Sequence, residues 1–232
     1  MLVDELLVHI FESRSHALSA QFALWVASSA RFRAFAELYR DKIRKKVRGM
    51  RDDEGLRDLQ FELEVSYLLL SERRFALEYE KGGVGKQRGP DFCVTFKTHT
   101  PFNVEVKRIR VSEVDPTAGP PEYNRIASTI CQKIGQLPPG MINLLVLTSE
   151  GELYHDADVA AAMLGLRARA ERKDDPFFSR RGFSSAGDFL KQYQRLSAVL
   201  FHTQLAQGNR HAGSLWLNPL ARQRLPDDLR NA

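Results

Sequence analysis

Asp91, Glu105 and Lys107 are the residues whose types and spacing can do chemistry. They lie in "GPDFCVTFKTHTPFNVEVKR", residues 89–108, where an acid stands directly before one apolar run and an acid and a lysine interrupt a second. In an extended strand, side chains two apart share a face, so Asn103, Glu105 and Lys107 point one way and Val104 and Val106 the other. One face is expected to pack and the other to be left for a reaction. Two carboxylates, completed by phosphate oxygens and water, make a hard-oxygen set suited to Mg2+ or Mn2+. An ammonium beside that metal can orient an attacking water or stabilise charge on phosphoryl oxygens. The reaction class these three groups support together is metal-assisted phosphodiester hydrolysis. A purely structural account has Asp91 accepting backbone N–H bonds where a strand begins, and Glu105 paired with Lys107 on an exposed strand face. Such a pair is worth only about 0–1 kcal/mol.

Strands have to hold these groups, and the periodicity supplies them. Residues 1 to about 72 read as helices: "DELLVHIFE", "HALSAQFALWVA", "ARFRAFAELYRDKIRKKV" and "GLRDLQFELEVSYLLL". Ser28-Ser29 and Asp52-Asp53 offer N-caps for the last two. The texture changes at Phe75: "FALEYE", "DFCVTF" and "FNVEVKRIR" read as strands, the first two separated by a glycine-rich loop, "KGGVGKQRG". A helix over residues 123–137 and a buried strand, "INLLVLTS", follow. "DADVAAAMLGLRA" and "SAGDFLKQYQ" are then expected as helices, "KDDPFFSRRGFSS" as a charged loop, and "LSAVLFH" and "GSLWLN" as late strands. The order implies a mixed α/β sheet with helices packed on it. We expect a helical N-terminal extension over residues 1–52 and one domain over residues 53–232.

Pro90-Asp91, thirteen intervening residues, then Glu105-Val106-Lys107 resembles the motif of the PD-(D/E)xK nuclease superfamily, which has the restriction-endonuclease-like fold. The superfamily's core is a helix, a three-stranded meander, a helix and a further strand, with the aspartate opening the second strand and the acid-x-lysine on the third. The resemblance covers residues 55–149. It implies a metal-dependent nuclease, more often acting on DNA than RNA, with Asp91 and Glu105 as ligands of Mg2+ or Mn2+ and Lys107 as the water-positioning group. It also implies an acid on the first core helix that supports the metal, for which Glu62, beside the packing stripe of Leu59, Leu63, Ser66 and Leu70, is preferred to Glu64. On the second core helix, polar groups that touch the scissile phosphate would be Gln132, Lys133 and Gln136, the last two sharing a face at i, i+3.

Cations elsewhere are candidates for phosphate contact. "DKIRKKVR", residues 41–48, carries five cations against one acid, and Lys42, Lys45 and Lys46 share one side of a helix. They could grip a nucleic-acid backbone, or form a solvated face, or belong to a homodimer contact. Lys86 and Arg88 lie in the glycine-rich loop close in sequence to Asp91. That loop is not a Walker A motif, because position 80 is Glu and position 87 is Gln. Trp216, Phe177, Phe178 and Phe183 are expected in the core rather than stacked on bases.

The remaining composition narrows the class. The 232 residues, 43% of them apolar, suffice for a sizeable core, and the net charge of +5 permits a polyanionic partner. No apolar run approaches the roughly 20 residues of a membrane span, and no basic leader opens the chain, so a cytoplasmic protein is expected. Two cysteines, Cys93 and Cys131, form no CxxC, and the six histidines have no ligand spacing. Two other readings stay open: a catalytically silent nucleic-acid-binding or assembly module on the same fold, and a helical interaction protein with an incidental motif.

Overall fold

The computed structural model describes residues 2–13, 15–81, 89–110, 121–149, 156–204 and 211–232. The chain divides into two compact units, residues 1–79 and 80–232. The helix and first strand that the resemblance joins to residues 80–149 therefore lie in the first unit.

That unit holds α1 (Val3–Phe11), α2 (Ser19–Ser28), α3 (Ala30–Gly49), α4 (Asp53–Ser71) and β1 (Phe75–Tyr79). The caps form where the sequence offers them. Ser29 Oγ accepts from the N–H of Phe32 at 3.1 Å, and Asp52 Oδ1 from that of Gly55 at 2.8 Å. On α3, Phe32, Phe35, Ala36 and Ile43 fall on one face and are buried. Their rings join an aromatic cluster in which Phe22 and Trp25 meet Phe32 edge-on, Trp25 stacks on Tyr67, and Phe35 touches Tyr79.

The second unit contains β2 (Phe92–Phe96), β3 (Thr100–Ile109), α5 (Pro121–Ile134), β4 (Ile142–Ser149), α6 (Asp156–Glu171), α7 (Asp175–Ser179), α8 (Ala186–Tyr193), β5 (Ala198–Gln204), β6 (His211–Leu217) and α9 (Asp227–Arg230). Its strands lie in the order β2-β3-β4-β5-β6. The β3–β4 and β4–β5 pairs are parallel, while the β2–β3 and β5–β6 pairs are antiparallel. The sheet is mixed, as the order of elements predicts. One face is covered by Ile126, Ile130 and Ile134 of α5, at i, i+4 and i+8, and by Val159, Met163 and Leu166 of α6, against Leu145, Leu147, Val199 and Phe201. Val104, Val106, Leu144 and Val146, alternating with these, are buried too. This explains why "INLLVLTS" reads as a continuous apolar run: a parallel strand in mid-sheet packs on both sides.

Two expectations change. The idea that one face of β3 packs and the other stays open is replaced by burial of both faces. Residues 173–185, expected as a charged loop, include α7, capped by Asp174, with Phe177, Phe178 and Phe183 buried. The charges there cover the aromatics: the guanidinium carbons of Arg169 and Arg181 lie 4.4 and 3.7 Å from the Phe177 ring centre.

Candidate active site

Asp91 sits where β2 begins, and its placement follows from the hairpin register. The β2–β3 ladder ends at Phe92 opposite Val104, so β3 continues with backbone groups that β2 no longer reaches. The Asp91 carboxylate takes one of them: Oδ2 accepts the Val106 N–H at 2.9 Å. The Asp91 carbonyl in turn accepts the Glu80 N–H at 2.8 Å. The structural account of Asp91 is correct as far as it goes, since it does cap a strand's exposed backbone.

Glu105, next along β3, is drawn to the same place. Its carboxylate accepts a hydrogen bond from the backbone N–H of Asp91 and is close enough to feel that residue's charge. Both acids are only 4% exposed. Burial first, and then the negative charge of Asp91, push the Glu105 carboxyl above its ordinary range, and the opposing pull of a lysine does not restore it. That lysine is Lys133, in the last turn of α5, whose Nζ forms an ion pair with Glu105 Oε1. Lys107 stands on the same face of β3 as Glu105 and is half-buried. Among the described residues it makes no ion pair with either carboxylate, so the pairing of Glu105 with Lys107 gives way to Glu105 with Lys133. Below them on this face, Asn103 donates to Asn143 Oδ1 at 2.9 Å across the parallel ladder.

The arrangement is thus two buried carboxylates sharing one neighbourhood, with a cation held against one of them. Like charges in one buried neighbourhood are relieved by a proton on one of them or by a compensating positive charge. Lys133 supplies it in this structure, and a divalent cation with oxygen preference fits the same donor set, Asp91 and Glu105. Among the described residues no three His, Cys, Asp or Glu side chains gather as a metal-holding group, so water and substrate oxygens would complete the coordination.

The other candidates are placed variously. On α4, Glu62 is half-buried and forms an ion pair with Lys46 of α3, whose ammonium also lies 4.9 Å from the Tyr79 ring centre. Glu64 is buried, and burial raises its carboxyl above the ordinary value. The stripe through Leu59, Leu63 and Leu70 is only part of the buried surface of α4. Phe61 and Val65 mark a second buried row, and Glu64 lies in it.

Gln132 is exposed, and Gln136 lies beyond the end of α5 on an exposed turn rather than sharing a helical face with Lys133. Lys86 and Arg88 fall outside the described residues. In "DKIRKKVR", Lys45 is exposed, while Lys42 Nζ donates to the Tyr79 carbonyl at 2.9 Å and Arg44 and Arg48 both engage Glu12. Most of this basic run ties the first unit together.

Neither a family model, nor a curated protein, nor a solved structure matches this chain. Among the described residues no helix is long and apolar enough to cross a membrane.

Proposed function

We propose that this protein is a metal-dependent nuclease of the PD-(D/E)xK type, with a restriction-endonuclease-like core, that hydrolyses phosphodiester bonds of nucleic acid, DNA in the first instance. The observation that carries the reading is the pair of buried carboxylates, Asp91 and Glu105, in one neighbourhood with a cation, Lys133, held against one of them. The chain order α4, β1, β2, β3, α5, β4, which matches the superfamily's order of elements, supports it.

In this reading Asp91 and Glu105 would hold Mg2+ or Mn2+, and the chemistry such an ion would supply is a lowered pKa for bound water and neutralised charge on the phosphoryl oxygens. The hydrogen bond from the Val106 N–H fixes the orientation of the Asp91 carboxylate. Lys107, on the same face of β3 as Glu105, would orient the attacking water, and Lys133, paired with Glu105 in this structure, would offer its charge to the phosphate.

A second reading is favoured by one observation. Lys133 already neutralises Glu105, as it would in a catalytically silent binding or assembly module that retains the acids for structure. Titration calorimetry with Mn2+ separates the two. The nuclease reading expects saturable binding that weakens at least tenfold in Asp91→Asn and in Glu105→Gln; equal, non-saturating heats in all three proteins would leave the silent module.

A further inference from the structure

We infer that the second unit carries a phosphate-binding pocket formed by Lys191, Arg195 and Arg222, separate from the carboxylate pair. The pocket is a cavity of about 210 Å³ under the start of β4, walled by the Pro139–Met141 turn, the end of α8 and the C-terminal segment. Three of its lining residues are cationic and none is acidic. At roughly 30 Å³ per water the space holds about seven, enough for a phosphate and part of its hydration shell.

The cations are held without being consumed. Arg195 Nη1 donates to the Leu137 carbonyl at 3.4 Å, and Arg222 Nε donates to Gln194 Oε1 at 3.0 Å, with the Arg222 N–H on the Gln194 carbonyl at 2.9 Å. A guanidinium has five N–H donors in a rigid fork, so one such bond orients it and leaves donors for a bidentate anion. Lys191, on the last turn of α8, adds a point charge at an exposed position.

A second observation points the same way. Residues 1–79 hold thirteen Lys and Arg against thirteen Asp and Glu, so the net charge of +5 falls wholly on residues 80–232, with 21 against 16. Between residues 160 and 226 eleven cations stand against four acids. Of those four, Glu171 pairs with Arg167 and Asp174 with Arg169, Asp175 accepts the Ala186 N–H, and Asp188 accepts from Gln192 and the Ser184 N–H while also feeling the charge of Lys191. Asp188 offsets part of the charge of Lys191, and the excess of cations over acids in this stretch remains.

The ligand chemistry is a phosphate group, belonging either to a nucleic-acid backbone or to a small phosphorylated molecule. Met141 precedes Leu145, the residue opposite Glu105, by four positions, which is about 13 Å along a strand. Pocket and carboxylates can thus be tested apart.

The test uses the full chain in EDTA, so that binding is read without hydrolysis and without any reliance on the metal site. Pyrophosphate is titrated by calorimetry, and a labelled DNA oligonucleotide by fluorescence anisotropy over a range of salt. Wild type is compared with the Lys191→Gln/Arg222→Gln double variant, and with Lys191→Arg as the charge-conserving control. Circular dichroism confirms that each is folded; both substituted side chains are exposed.

The double variant is expected to weaken pyrophosphate at least tenfold, or to lower the magnitude of the oligonucleotide's salt slope by about two, near 0.9 per lost phosphate contact. Lys191→Arg should retain binding. Loss with DNA alone assigns the pocket to a backbone, and loss with pyrophosphate alone to a small phosphorylated ligand. Unchanged binding of both probes in the double variant, or no binding of either by wild type, overturns the inference.

Discussion

Glu105 is a carboxylate almost out of reach of water whose nearest relief is a lysine from another element. Removing that lysine exposes the cost of the arrangement. Lys133→Met should lower stability by roughly 3 kcal/mol at pH 8, and by progressively less as pH falls and Glu105 takes up a proton; urea unfolding across a pH series reads this. Adding Glu105→Gln should recover most of the loss, because the uncompensated charge is then gone.

Glu64 gives a simpler case, since burial alone raises its pKa from the ordinary 4.5. Above about that pH the unfolded chain releases this proton more readily than the folded one, so folding stability falls as pH rises toward the folded value. Glu64→Gln removes the titration. The variant should unfold at higher urea than wild type at pH 8, and at about the same urea near pH 4. A midpoint difference that does not change with pH would contradict the assignment.

At the scale of elements, much of the fold was legible and the exceptions have physical causes. "INLLVLTS" declares a mid-sheet strand because both of its faces are buried. Ser29 and Asp52 declare helix starts because an orphan N–H needs a side-chain oxygen. The motif residues Asp91 and Glu105 were legible because each charge sits beside an apolar strand run, yet the partner of Glu105 was not. Strand periodicity places Lys107 on its face, whereas Lys133 reaches it through the packing of α5 on β3, which no local pattern encodes. In residues 173–185 the three aromatics are legible as core, whereas α7 is not, because its five residues are too few to show a helical period. Phe178, fully buried and stacked on Phe189 with ring centres 4.3 Å apart, should therefore behave as a core residue. Phe178→Ala is expected to cost about 3–5 kcal/mol in chemical denaturation; a loss under 1 kcal/mol would contradict its place in the core.

For the molecule as a whole, charge is divided unevenly. The first unit spends its basic run on Glu12, Glu62 and a backbone carbonyl, while the second carries the excess of cations together with the buried acids. A nuclease requires that combination: positive surface to gather a polyanion, and shielded carboxylates to hold a metal at the scissile bond. The most direct test is cleavage. Purified protein is incubated with supercoiled plasmid, linear duplex and single-stranded DNA in Mg2+, Mn2+ or EDTA, beside Asp91→Asn, which can still accept the Val106 N–H, and Lys107→Ala. We predict metal-dependent cleavage of at least one substrate, abolished by EDTA and by Asp91→Asn and lowered roughly 10²–10³-fold in Lys107→Ala. Cleavage that persists at the wild-type rate in a folded Asp91→Asn variant, or that is indifferent to EDTA, would contradict the assignment of the reaction to these carboxylates.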